Sequence, residues 1–498
     1  MHAGAKTAYL TEGFAWCRLC CEQLAAPARQ GIVCLVRSHA RTLAIRTAPA
    51  RYLFLIVCLA ICALLIFWPN IWSPLPTERG LTTQPIEASA FAAALGVNAH
   101  LTWRSTAYGD VTAVEHALDY LGLGNVRDIG GYSFGVYDTL AEAGYRFDFT
   151  TIGGSQQQAP SVFSQWLHNF AVAHAGAIAS IEGPNEVNIW GINYDGQTGY
   201  AGAIAYQTAL SQTLSADPVL DPLPVYNLTV ASSSASAYNG LGDMSGVADY
   251  GALHPYAILG NQPSVQLGAQ LSWARAVTPN KPLAITEVGY PTLPTDYWQG
   301  VDETTQAKLT LNTVLDATRL GVRATYIYEL VDNNVSSGGG AWAHGGLFRS
   351  DWSPKPAATA LHNLMSVLGS SHGAAPTAAA PHYTVSGLTG YNASLTFHEA
   401  NGAYDIVVWA EPDIWDATNH APVAAPAQTA TINLARPVGG YATYDPLVGV
   451  APVATGGATS HISLTVTDHP LIVELQGAAT ISRRAAAAGP RSPRRVKP

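Results

Sequence analysis

Residues 177–230 read AIASIEGPNEVNIWGINYDGQTGYAGAIAYQTALSQTLSADPVLDPLPVYNLTV. An apolar run, AIASIEG (177–183), opens into a polar loop. An amphipathic stretch follows, IAYQTALSQTLSA (204–216), and a β-rich run, LPVYNLTV (223–230), closes the unit. Strand, helix and strand in that order imply parallel pairing with a helical crossover. The alternation continues both ways. Upstream lie GVNAHL (96–101), NVRDIG (125–130) and YRFDFT (145–150); downstream lie ADYGALHPY (248–256), PLAITEVG (282–289) and ATYIYEL (324–330). VTAVEHALDYL (111–121) and TTQAKLTLNTVLDATRLG (304–321) are further helical patterns. Eight strand candidates over residues 95–370 predict a (β/α)8 TIM barrel, of the α/β class. An open doubly wound sheet is the alternative, but no G-x-G-x-x-G follows the first strand, so a dinucleotide site lacks its fingerprint.

Beyond the barrel the texture changes. A small-residue linker (371–380) leads to closely spaced strand-like runs with no long helix, among them NASLTFHEA, YDIVVWAE, HISLTVTD and PLIVEL. Residues 381–478 therefore read as a small all-β sandwich domain. A basic, Pro-containing tail (479–498) has the composition of a disordered segment.

Upstream, Tyr52 to Trp68 is a 17-residue run without a charge, the short end of a transmembrane helix. Arg37, Arg41, Arg46 and Arg51 precede it, so the positive-inside rule keeps the basic segment 1–51 cytoplasmic and exports the rest. A Pro-rich stalk and barrel lead-in (69–94) follows, without the small-residue cleavage site that the rival reading, a cleaved and secreted chain, requires. All six cysteines lie at or before Cys62, so the exported fold is expected to be free of disulfides. Cys17 and Cys20 make a single C-x2-C with no second pair at zinc-site spacing, so no metal is expected.

The net charge of −9 is unevenly spread: residues 1–51 carry +5 and residues 482–498 carry +6, leaving −20 on the body. Phosphate contacts need a basic face, so an acidic body argues against nucleic acid as a partner. Oligomeric state is not legible.

Catalytic groups of such a barrel sit at the C-terminal ends of its strands. Those ends present His100, Arg127 with Asp128, Asn185 with Glu186, His254 and Tyr256, Glu287, and Glu329. Glu186 and Glu287 follow the apolar runs of strands four and seven, facing one another across the barrel mouth. Cleaving a glycosidic bond needs two such carboxyl groups, one protonated to release the leaving oxygen and one ionised to attack or to activate water. Trp103, Trp190, Tyr290 and Trp342 fall on loops at the same face, where an aromatic ring offers a platform for a sugar. No G-x-S-x-G elbow and no H-E-x-x-H motif is present, and nothing calls for a cofactor.

Over residues 95–368 the chain resembles the clan A retaining glycoside hydrolases, with family 39 and its relatives nearest. GVNAHLTW is similar to the first strand, VRD to the second, GPNE to the fourth, HPY to the sixth and ITEVGY to the seventh. YIYELVD and GGLFRSDWSPKPAATAL resemble the last strand and closing helix. The resemblance implies Glu186 as acid/base, Glu287 as nucleophile and Asn185 on the sugar 2-hydroxyl. It further implies that Tyr256 donates to the nucleophile, that Arg127 stabilises it, and that His254 positions the acid/base, a core histidine being the alternative. His100, Trp103, Glu329 and Trp342 are the expected substrate contacts. Pro184 and Val187 depart from the Trp and Pro that commonly flank the Asn-Glu pair in the family's xylosidase-like members, which bears on substrate identity. The expectation is a membrane-anchored retaining glycosidase with its catalytic domain outside the cytoplasm, acting by double displacement on an envelope or extracellular polysaccharide or oligosaccharide. Retention requires carboxyl groups about 5–5.5 Å apart, against about 6.5–9.5 Å for inversion. A carbohydrate-binding protein without activity and a glycan-remodelling transglycosylase are the alternatives.

Overall fold

The structure, a computed structural model, describes residues 84–132, 135–231, 234–333, 340–369 and 379–477. The expected anchor (52–68), the basic segment before it and the C-terminal tail lie outside those residues. Among the described residues, no helix is long and apolar enough to cross a membrane.

Eight parallel strands form the barrel: β1 (Leu95–Asn98), β2 (Asn125–Ile129), β3 (Arg146–Ile152), β4 (Ile178–Asn185), β5 (Val225–Tyr226), β6 (Gly251–Leu253), β7 (Leu283–Val288) and β8 (Ala324–Ile327). Each pairs with its sequence neighbours, and β8 returns to β1. Between β5 and β6 the ring closes through a bridge of Tyr226 with Tyr250, where Asp249 N donates to Val225 O at 2.7 Å and Asn227 N to Tyr250 O at 2.9 Å. All eight strand candidates are present, several of them trimmed. LPVYNLTV keeps only two residues in the ladder, because the chain beyond Tyr226 leaves its neighbours to form the rim of the mouth.

Helices α1 (Ala88–Ala94), α2 (Val111–Leu121), α3 (Gly135–Glu142), α4 (Pro160–Ala173), α5 (Gly199–Ser215), α6 (Pro263–Val277), α7 (Glu303–Arg319) and α8 (Pro356–Gly369) surround the strands. The local signals are plain in α2. Asp110 accepts from Ala113 N at its start, Gly122 ends it with φ 69°, and Val114, Ala117, Leu118 and Leu121 make one buried stripe. Helix α7 departs from this pattern, being buried almost all round from Thr305 to Ala317. It packs on the barrel with one face and lies under the β domain with the other.

That domain holds β9 (Tyr383–Ser386), β10 (Asn392–His398), β11 (Tyr404–Ala410), β12 (Gln428–Tyr444), β13 (Ala454–Val466) and β14 (Leu471–Gln476). They form one sheet folded over on itself. The first half of the long strand β12 pairs with β9 and its second half with β14, while β13 runs beside both with a register shift between Asn433 and Val438. Alternation along β11 then serves two cores. Ile406, Val408 and Ala410 face the sandwich interior, whereas Val407 and Trp409 join the apolar cluster of the barrel. The lead-in belongs to this sheet as well: Ile86–Glu87 pairs parallel with Phe397 and His398 of β10, and Phe91 of α1 meets Phe397 edge-on with ring centroids 5.1 Å apart.

Candidate active site

Inside the barrel, strand alternation separates two chemistries. Outward-facing Val126, Phe147, Phe149 and Ile181 pack against the helices, while Arg127, Asp148, Ser180 and Glu182 point inward. Such a polar interior is stable only if its groups satisfy one another, because burying an unpaired charge costs several kcal/mol, on the order of 5 or more.

Arg127 provides most of that satisfaction. Its Nε donates to Glu182 Oε2 at 2.5 Å and its Nη2 to Glu182 Oε1 at 3.1 Å and Asn185 Oδ1 at 2.7 Å. Its Nη1 reaches Asn98 Oδ1 at 2.8 Å and Glu287 Oε1 at 2.7 Å. Tyr256 donates its hydroxyl to the other oxygen of Glu287 at 2.7 Å. Burial alone would push the Glu287 carboxyl up; the charges of His254 and Arg127, with the hydrogen bonds from Tyr256 and Arg127, outweigh it and hold the group below its ordinary value. Burial and the neighbouring Glu287 raise Tyr256 far above its ordinary value, so its phenol stays protonated and able to donate.

Glu186 stands at the end of β4 with φ 44°, a left-handed conformation unusual for a residue with a side chain. The turn is held from both sides: Glu186 N donates to Thr229 Oγ1 at 3.0 Å, and Ile189 N and Trp190 N return to Glu186 O at 2.8 and 2.9 Å. Behind it, Gly183 leaves room for Gln207 of α5, whose Oε1 would lie 1.8 Å from any β-carbon there. His254 Nδ1 lies 3.0 Å from Glu186 Oε1 and 3.5 Å from Glu287 Oε2, between the two acids. Burial opposes charge on His254, but Glu287 and Glu186 prevail and raise it above its ordinary value. Oxygen atoms of Glu186 and Glu287 approach within 4.8 Å of each other.

His254, Glu186 and Glu287 thus place three donor atoms within reach of one ion. A cation there would meet the Arg127 guanidinium 2.7 Å from Glu287, and both oxygens of Glu287 already accept hydrogen bonds, so the surroundings disfavour a metal.

The structure gathers Arg127, Asn185, Glu186, His254, Tyr256 and Glu287 into one cluster. Trp342 borders it, 4.4 Å from the Tyr256 ring and 5.7 Å from that of Tyr328. His100 stacks on Trp103 at 4.0 Å and meets the Tyr328 hydroxyl at 3.1 Å; burial drives its imidazole down to about 4, so it is neutral at physiological pH. Trp103 and Trp190 stay substantially exposed, on the loops that follow β1 and β4.

Two expected contacts, Glu329 and Tyr290, are not on the cleft surface. Glu329 is fully buried beneath the site, accepting from Tyr108 at 2.8 Å and Asn333 at 2.5 Å, and burial raises its carboxyl well above the usual range. Tyr290 is buried against α7, where its hydroxyl meets Thr313 at 3.3 Å, and offers no platform. Asp128, also at a strand end, braces the loop after β1 by accepting from Leu101 N at 2.8 Å. Asn98, Glu182, Thr286 and Tyr328 also belong to the cluster and carried no sequence signal beyond lying in or beside the strand runs.

No protein-family model matches the chain, and no curated protein matches it. Solved structures do. A family 39 glycoside hydrolase from the gut symbiont Bacteroides cellulosilyticus WH2 superposes with a TM-score of 0.56 at 14% identity, covering 80% of this chain and 83% of that one. A monomeric beta-xylosidase from Caulobacter crescentus CB15 superposes with a TM-score of 0.50 at 15% identity, covering 80% and 98%. At these identities the likeness establishes the fold, a (β/α)8 barrel with a C-terminal β domain, which the two enzymes share with this protein.

Proposed function

We propose that this protein is a retaining glycosidase, with Glu287 as nucleophile and Glu186 as acid/base. What supports the reading is the pairing of two carboxyl groups at the barrel mouth, an oxygen of one within 4.8 Å of an oxygen of the other, with Glu287 hydrogen-bonded by Arg127 and Tyr256 as a nucleophile that must stay ionised would be. In the first step Glu287 attacks the anomeric carbon while Glu186 passes its proton to the departing glycosidic oxygen. In the second, a water gives a proton to Glu186 and its oxygen to the anomeric carbon, which frees Glu287. In this reading Asn185, whose Oδ1 accepts from Arg127 at 2.7 Å, holds the 2-hydroxyl through its amide. The substrate we propose is an envelope or extracellular polysaccharide or oligosaccharide, cradled between Trp103, Trp190 and Trp342. We further propose that Tyr52–Trp68 anchors the chain with this domain outside the cytoplasm; protease added to intact cells should then remove the barrel epitope.

The deciding experiment offers a panel of aryl glycosides and polysaccharides to a fragment starting at about residue 75, beside its Glu287→Ala variant. Hydrolysis that is lost in the variant, with the first product keeping its anomeric configuration by NMR, is the expected result. Turnover with inverted product would overturn the retaining assignment. Glycan binding without turnover, unchanged in the variant, would make the protein a binder.

A further inference from the structure

We propose that Glu182 is a positioning residue that sets the protons of both acids, acting on Glu287 through Arg127 and on Glu186 through Thr286 and His254. The inference rests on the two-carboxylate reading above.

Glu182 lies on β4 with its side chain fully buried, and its two oxygens receive three donors: Arg127 Nε, Arg127 Nη2 and the Thr286 hydroxyl at 3.1 Å. Asp148 beside it accepts from Ser180 at 2.7 Å, and burial, then the neighbouring Glu182, push Asp148 far above the usual carboxylate range. Arg127 Nε stands 3.9 Å from the nearer Asp148 oxygen but 2.5 Å from Glu182, so Glu182 is the carboxyl group that pairs with the guanidinium from below. Two of the guanidinium nitrogens are pinned to Glu182, and the third is thereby turned to Glu287 Oε1 and Asn98.

The second arm follows from hydrogen counting. The Thr286 hydroxyl has one hydrogen, and it is given to Glu182. Toward His254 Nε2, 3.1 Å away, Thr286 can only accept, so Nε2 carries a hydrogen. With a hydrogen held on Nε2, Nδ1 is the ring nitrogen left to take up or give a proton, and it faces Glu186 Oε1 at 3.0 Å. Tyr226 and Tyr326, the remaining ionisable groups lining this part of the interior, are raised by burial and stay neutral.

An amide cannot replace Glu182. It has one acceptor oxygen, so one way round a donor faces Arg127 Nε and the other way round donors face Arg127 Nη2 and Thr286. Keeping the 2.5 Å bond to Nε turns the amide nitrogen to Thr286, whose hydroxyl then swings to His254 Nε2 and drives the ring hydrogen to Nδ1.

The test is imidazole NMR on the full chain labelled with 15N-histidine at pH 7, without substrate, His254 being assigned through His254→Asn. Expected are a protonated Nε2 in the wild type and a bare Nε2 in Glu182→Gln. Thr286→Val, which leaves the Arg127 arm intact and is close to isosteric, should also lose the Nε2 hydrogen, and it decides the matter alone should Glu182→Gln not fold. Both variants should lower kcat by about tenfold or more with little change in KM. A bare Nε2 in the wild type, or a wild-type tautomer and kcat in the variants, overturns the proposal. The tautomer is read without turnover, so a wild type that hydrolyses nothing would sink the glycosidase reading and leave this result to stand or fall separately.

Discussion

Glu287 is buried and yet held ionised, a state that depends on a few short contacts. Removing one of them has a signed consequence. Tyr256→Phe takes away a charge-assisted hydrogen bond, each of which contributes about 1.5–3 kcal/mol, so the Glu287 carboxyl rises by about one to two units. The acidic limb of the pH–rate profile should move to higher pH by that amount, and a limb that stays in place would remove Tyr256 from the role. Stability follows the same sign. The depressed carboxyl stabilises the fold above the ordinary carboxyl range, and this contribution is lost as pH falls through its native value, earlier in the variant. Glu186→Gln keeps the left-handed turn and removes the proton. Hydrolysis of glycosides with poor leaving groups should drop about 10²–10⁴-fold, while activated aryl glycosides, which need little protonation, lose far less. Equal losses for both classes would count against Glu186 as the acid. These two glutamates were legible because each ends an apolar run. Glu182 sits inside such a run, where charge reads as an interruption, and only barrel closure shows that Arg127 and Thr286 converge on it.

At the scale of elements, the contact of α7 with the β domain shows what periodicity misses. Asn312 and Asp316 look like a solvated face, yet both are buried, because the β domain covers them, Asn312 donating to Asp468 O at 3.2 Å. Asp316 accepts from the Tyr391 hydroxyl at 2.7 Å, and the same hydroxyl receives Arg319 at 2.7 Å; Lys308 meets Asp468 at 2.7 Å. Burial raises Asp316 to about 6, against the hydrogen bond from Tyr391 and the charge of Arg319. The native chain therefore holds a proton that the unfolded chain releases near pH 4, and this group destabilises the fold progressively as pH climbs from about 4 to about 6. Asp316→Asn should flatten that part of the curve of melting temperature against pH; an unchanged slope would show that Asp316 is not responsible. Strand trimming has a similar origin. LPVYNLTV has the composition of a longer strand, but the rim needs Thr229 free to hold the backbone of Glu186.

For the whole molecule, one apolar cluster runs from the barrel helices into the β domain through Leu395, Phe397, Val407, Trp409 and Ile472. Trp409 is wholly buried, and its indole also donates to Glu411 at 3.1 Å. Trp409→Ala should cost about 3–5 kcal/mol. Because the core is shared, calorimetry should show one cooperative transition moving to lower temperature, and two separated transitions would mean that the units melt independently.

By itself, the sequence determined the order of strands and helices, the barrel-then-sandwich plan and the identity of the two opposed glutamates. These follow from local apolar runs and from where charge interrupts them, both properties of neighbouring residues. The tertiary structure alone decided that Glu329 and Tyr290 lie away from the mouth and that the lead-in joins the C-terminal sheet. It alone brought Glu182, Thr286 and Asn98 around the Arg127 guanidinium. Burial and hydrogen-bond partnership are set by residues far apart in the chain, and no local pattern encodes which of them will meet.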